Sequence, residues 1–216
     1  MSTLQILLLA SIIVIILLAI AIASFIIVKK KKIKKMHLEL DNFFNKYVEE
    51  HNDSKLEKIN NGIYYYKLTT SKSINYIKIV PNLSSDEITI NNSVTWQLKK
   101  SYNDEKPKYV PNIEPFMNYD LSLESNNDSK EIDTKNEEVN LFNQDKELTF
   151  SDLDLNINNN VTKKNKKIFL IYPNARLLLM YINECEMKFV TPKTNINGSN
   201  VITFVDLMAN KDSLLK

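Results

Sequence analysis

The sequence predicts an α+β protein: one N-terminal transmembrane helix, then a single mixed-sheet cytoplasmic domain that an acidic insert interrupts. Three observations predict it. Residues 4–28 are apolar apart from Gln5, Ser11 and Ser24, and lysines follow at once. Helix-like and strand-like patterns lie on both sides of residues 119–165, and each side is too short to bury a core alone. Between them the apolar period gives way to Asp, Glu, Asn and Ser.

The helix comes first. About 20 apolar residues at ~1.5 Å rise each cross a hydrocarbon core of roughly 30 Å, so residues 4–28 can span it with some tilt. In lipid, a helix satisfies every backbone group within the segment, so helix is expected despite the many β-branched residues. Lys29, Lys30, Lys31, Lys32, Lys34 and Lys35 form a basic juxtamembrane segment over residues 29–35. Such clusters stay in the cytoplasm, which places the tail of residues 1–3 outside and the rest of the chain inside. The expected location is therefore the cell membrane, crossed once. The bilayer is the first partner this implies, and each lysine near anionic head groups contributes about 1 kcal/mol. Ala19 and Ala23 make a small-xxx-small spacing that lets two such helices approach, which allows a homo-oligomer. Signal-peptide cleavage after Ala23 is the competing reading. It lacks a basic leading segment, and the apolar run continues through Val28.

Composition narrows the function. The formal net charge is +2, but it averages the basic block at 29–35 with an acidic stretch over 120–154. The body shows no broad basic footprint of the kind nucleic acid requires. Cys185 is the only cysteine, so no intrachain disulfide forms, which suits a reducing compartment. With one Cys and two histidines, His37 and His51, a structural zinc site is excluded. Gly62 and Gly198 are the only glycines, which leaves no phosphate-cradling loop. The wealth of Asn, Lys and Ile reads as coding by an AT-rich genome, so short motif matches arise by chance.

The first part of the domain is residues 36–118. Met36, Leu40, Phe43, Phe44, Tyr47, Val48 and His51 recur at helical spacing and predict an amphipathic helix continuing from the membrane. After the Asn60-Asn61-Gly62 turn, residues 63–68 favour a strand, and its three consecutive tyrosines cannot all share one face. Residues 74–80 predict a second strand closed by Pro81-Asn82, and residues 87–90 and 94–98 two short ones, with Trp96 as a packing anchor. Pro107, Pro111 and Pro115 mark extended chain from which Tyr109, Ile113 and Phe116 can dock. Residues 119–165 are expected to be mostly disordered, because they hold too little apolar surface to offset ordering entropy.

The second part is residues 166–216. Residues 168–172 predict a strand, Pro173-Asn174 a turn, and residues 176–182 a strand or the start of a buried helix. Residues 187–191 and 201–204 predict further strands with a turn at Asn197-Gly198. Asp206 is the expected N-cap of a closing helix.

The order of these pieces resembles the nuclease-related (NERD) domain family in its membrane-anchored bacterial form. Leu38-Glu39 lies where that family has Gly-Glu. Ile74-Asn75-Tyr76-Ile77 looks like its Ile-Asp-His-Ile strand, Trp96 like its Trp, and Asn112 with Pro115 like its Asn-Pro element. The resemblance implies a restriction-endonuclease-like fold and a site that holds Mg²⁺ through Asp and Glu-x-Lys. Such a metal needs anionic oxygens gathered together. Here Asn75 replaces the Asp, and no Glu-x-Lys occurs between Val80 and Glu87. The expectation is a catalytically degenerate relative: a binding or scaffolding domain with no cofactor and a protein partner whose identity the sequence does not give. The second expectation is a Mg²⁺-dependent nuclease that uses Glu39 with Glu186 and Lys188.

Overall fold

A computed structural model describes residues 3–59, 61–92, 94–100, 106–122 and 163–216. The first helix, α1 (Thr3–Glu50), runs without a break from the apolar stretch into the domain. Its two halves meet different surroundings. Among residues 12–28 the large apolar side chains are exposed on all sides, from Ile12 at 44 % to Phe25 at 71 %. A helix that is apolar all round belongs in a core or in lipid. None of the described residues covers this one, and it is long and apolar enough to cross a membrane. Beyond it, Met36, Leu40, Phe44 and Tyr47 form one buried stripe, as the helical spacing predicts.

Among the described residues, eleven strands form two sheets. The chain order is β1 (Lys55–Lys58), β2 (Tyr66–Thr69), β3 (Ser73–Pro81), β4 (Glu87–Ile90), β5 (Trp96–Lys99), β6 (Lys108–Tyr109), the short helix α2 (Ile113–Met117), β7 (Lys164–Tyr172), β8 (Leu178–Tyr181), β9 (Met187–Phe189), β10 (Asn195–Ile196), β11 (Ser199–Thr203) and the closing helix α3 (Phe204–Leu215). One sheet runs β1-β2-β3-β7-β11-β10 and the other β6-β5-β4-β8-β9. Both are mixed: β3, β7 and β11 are parallel, as are β4 and β8, while the outer pairs are antiparallel. Thus β7 sits between β3 and β11, and the chain on the two sides of the insert builds one domain.

The six-stranded sheet has a core on each face. On the helix side, Ile77, Ile79, Ile168, Leu170 and Ile202 pack against the α1 stripe and against Phe204, Leu207 and Leu215 of α3. On the other side, Tyr76, Val80, Phe169, Ile171 and Val201 pack against α2 and against Ile88, Ile90 and Trp96 of the second sheet. This alternation follows the period of two along each strand. Trp96 is buried against Phe169, with ring centroids 4.8 Å apart, which fits its predicted role as an anchor.

The two sheets join at a double bend. Pro81-Asn82 and Pro173-Asn174 do not end their strands' partnership, because β3–β7 pairing passes into β4–β8 pairing across them. Asn82 N–H donates to the Tyr172 carbonyl at 2.7 Å, Arg176 N–H to the Ser85 carbonyl at 3.3 Å, and Ile88 N–H to the Leu177 carbonyl at 2.9 Å. The buried Asn82 amide pins the bend by donating to the Asp86 and Asn174 carbonyls at 2.8 and 2.9 Å. The hairpin between β10 and β11 turns on Asn197 (φ 48°) and Gly198 (φ 81°). Two residues at positive φ match a type I′ turn, for which Asn-Gly is the favoured pair.

Several expectations need correction. The strand predicted over 63–68 begins only at Tyr66, because the Asn61 side chain turns the preceding backbone, accepting from Ile63 N–H at 2.9 Å and Tyr64 N–H at 3.1 Å. As a result Tyr64 and Tyr66 enter opposite cores, and Tyr65 is exposed beside His37. The charged strand β1 was not expected. Of residues 176–182, four form β8 rather than a helix, and they are only half-buried. Thr203, not Asp206, is the N-cap of α3: its hydroxyl oxygen accepts from Asp206 N–H at 3.1 Å and donates to the Asp206 carboxylate at 2.7 Å. Residues 164 and 165, assigned to the insert, already belong to β7. Residues 123–162, where disorder was expected, lie outside the described residues.

Candidate functional site: a cleft beside the first helix

Lys78 departs from the apolar pattern in the middle of β3, between Ile77 and Ile79. It is 5 % exposed, because β7 and β2 flank the strand and α2 lies over that face. Its ammonium donates to the Ile63 carbonyl at 2.7 Å and stands 6.0 Å from the Phe116 ring centroid. Burial holds its pKa below the ordinary lysine value.

Lys78 lines a cleft of about 450 Å³ at the bend where β3 leaves the first sheet. Ile79, Val80, Leu83, Leu98 and Val110 give it apolar walls. Asn82, Ser84, Asp86 and Asn112 supply polar groups, and Asp86 is the one carboxylate. Lys29 and Ile33 of α1 close the side toward the apolar half of that helix. Ligand pockets are commonly ~300–1,000 Å³, mostly apolar with a few placed polar groups. In sheets with parallel strands, such crevices form beyond the strands' carboxyl ends, as this one does at the end of β3.

The residues expected from sequence are distributed as follows. The six juxtamembrane lysines are all exposed on α1, and Lys35 pairs with Glu39 at 3.5 Å. Glu39 also accepts a short hydrogen bond from the Tyr172 hydroxyl. Burial, reinforced by that carboxylate, pushes Tyr172 up to about 12. Glu186 follows the β8–β9 connection, where its carboxylate accepts from the Asn183 amide at 3.3 Å. Lys188 is exposed on edge strand β9. Glu39 therefore belongs to the helix packed on one face of the central sheet, while Glu186 and Lys188 belong to the sheet on the other, and among the described residues no hydrogen bond or ion pair links the two. Among the described residues, no group of three or more His, Cys, Asp or Glu is placed to hold a metal ion.

Asn75 has a physical reason to be an amide. It is fully buried, and its Nδ2 donates to the Leu215 carbonyl at 2.9 Å and to Ser73 Oγ at 3.0 Å. Ser73 Oγ donates to the same Leu215 carbonyl at 2.9 Å. Together they satisfy a carbonyl that the end of α3 leaves without a helical partner. A carboxylate has no N–H to donate.

No family model matches the chain, and neither a curated protein nor a solved structure matches it. The site is therefore read from its own geometry. The strand expected over residues 74–80 did not single out Lys78 as a site residue. The signal was present in the run Ile77-Lys78-Ile79-Val80. A lysine inside a continuous apolar stretch cannot face water if the strand is central.

Proposed function

We propose that this is a single-pass membrane protein whose α+β domain is held at the cytoplasmic surface as a binding or scaffolding module. The observation that carries the reading is the continuity of α1: one helix holds both the exposed apolar half and the stripe that fills the domain's core. The domain is thus packed directly on its anchor, without a linker between them. The lysines at positions 29–35 support the orientation through the bias of basic residues toward the cytoplasm. The order of elements shared with nuclease-related domains fits a relative that has kept the scaffold and replaced the acid at Asn75 by a structural amide.

Cys185 offers the test. It is the only cysteine and it is exposed, so a membrane-impermeant maleimide reports which side the domain occupies. The expected result is no labelling in intact cells and full labelling after permeabilisation. Labelling in intact cells would overturn the orientation. Mg²⁺-dependent cleavage of DNA or RNA by the purified chain, lost on Glu39→Gln, would overturn the binding role in favour of an enzyme.

A further inference from the structure

We infer that the cleft lined by Lys78 is a binding site for the head group of an anionic phospholipid drawn from the leaflet it faces. The inference rests on the membrane reading above and adds a ligand and a place to it. Its first support is depth. Lys29 immediately follows the apolar run, and Ile33 lies about 7 Å beyond Val28 at ~1.5 Å per residue. Both line the cleft. Head-group layers are roughly 5–8 Å thick on each side of the hydrocarbon. A tilt of about 20° shortens the axial distance by only a few per cent. The cleft wall made by α1 therefore lies at head-group level.

The second support is chemistry. The lining combines apolar surface from Ile33, Leu83 and Val110 with two ammonium groups, Lys29 at the mouth and Lys78 within, against one carboxylate, Asp86. This pairing of apolar walls with cationic ends suits an amphiphile with a phosphate. Lys78 donates one hydrogen bond to the Ile63 carbonyl, a neutral acceptor. An ammonium has three donors, so a phosphate oxygen can be added without breaking that bond. A buried cation held only by a neutral group gains most from a nearby anion, since water screens the pair little. The third support is position: an anionic lipid is the amphiphile already present where the cleft opens, whereas a soluble anion has no need of apolar walls.

The experiment uses the full chain in phosphatidylcholine nanodiscs that carry either a diazirine-bearing phosphatidylglycerol or a diazirine-bearing phosphatidylcholine. Crosslinks are mapped by mass spectrometry. The expected result is crosslinking of residues 78–86 and 110–112 by the anionic probe in preference to the zwitterionic one. Lys78→Met is expected to lower that preference about fivefold, the change one lysine at an anionic surface accounts for. Leu83→Trp, which fills the cleft and keeps both lysines, is expected to remove the cleft crosslinks. Thermal unfolding shows whether each variant folds, and if Lys78→Met does not, Leu83→Trp decides. Equal crosslinking by both probes, or cleft crosslinks that survive Leu83→Trp, would overturn the proposal. So would their loss to added inorganic phosphate, which would mark a free-anion site. Crosslinks along residues 12–28 report the membrane placement itself: their presence without cleft crosslinks sinks the lipid site alone, and their absence sinks the membrane reading.

Discussion

The two faces of the six-stranded sheet use their polar residues in opposite ways. On the face covered by α1 and α3, Ser73 and Asn75 are fully buried and bound to the end of α3. On the other face, Lys78 is buried beside an open cleft and holds one backbone carbonyl. The first pair completes the fold. The second residue keeps donor capacity that the fold does not need. Neighbouring positions on one strand can thus serve stability and binding separately, because alternate side chains reach different cores.

Removing apolar mass from the helix-side core should give the largest effects. Phe44→Ala is expected to cost about 3–5 kcal/mol in chemical unfolding, whereas the same truncation at exposed Phe25 should leave domain stability unchanged. Asn75→Asp should cost a similar amount, about 3–5 kcal/mol, because it buries a charge facing the Leu215 carbonyl. A near-neutral result there would break the comparison, since it would mean that this face does not depend on the amide. Asn82→Ala, which leaves the Asp86 and Asn174 carbonyls without their donor, should cost about 1–3 kcal/mol. By contrast, Lys78→Met should change stability by no more than about 1.5 kcal/mol, because relieving a buried ammonium offsets the loss of the Ile63 carbonyl's donor. A larger loss would make Lys78 structural and the two faces alike.

Titration sharpens the same contrast at smaller amplitude. Tyr66 and Tyr172, both on the helix side, are raised first by burial and then by Asp41 and Glu39 respectively. Each binds its proton more tightly folded than unfolded, so their contribution is intact below the ordinary value of 10.0 and is lost as pH rises above it. Tyrosinate absorbance should therefore lag for these two until the domain unfolds. Lys78 acts in the other direction. Its lowered pKa makes the charged form unfavourable in the fold, so that penalty fades as pH rises from its folded value to 10.5. At acid pH, Asp41 is the sensitive group. Burial alone would raise it, but Lys58 and the Tyr66 hydroxyl outweigh burial and lower it. Its contribution is present above 3.8 and is lost as pH falls through the lowered value. Tyr66→Phe should reduce that acid dependence.

Much of this architecture is legible in the residues, and the gaps have physical causes. The apolar run, the helical stripe from Met36 to Tyr47 and the strand-forming runs at 74–80 and 168–172 are strong signals, and the helix and strands lie over them. Strands β1, β6 and β10 carry too few apolar residues to show a period, because they lie at sheet edges. The Pro-Asn steps at 81–82 and 173–174 were taken as strand ends, yet the pairing crosses both. No local pattern states that two chain segments bend together. Thr203 was overlooked as a cap because the strand β11 claims it until the residue where α3 begins. The cleft was hidden for a related reason. Lys78 looks like a solvent-facing residue until β7 and α2 are placed around it, and their approach is a long-range fact.

The position of β7 has one more consequence, in the order of events during synthesis. Ser73 pairs with Lys164, and every residue of the insert must be translated before that contact is possible. Until then β3 waits with both of its faces and one edge incomplete. Pairing at such a separation is slow, because loop closure must precede any reward from the contacts. Incomplete strand edges of this kind favour misassembly and the need for chaperones. On the proposed membrane reading, α1 confines the waiting half-domain to a surface. It meets its late strand there as an intramolecular partner, at a distance the insert's length sets.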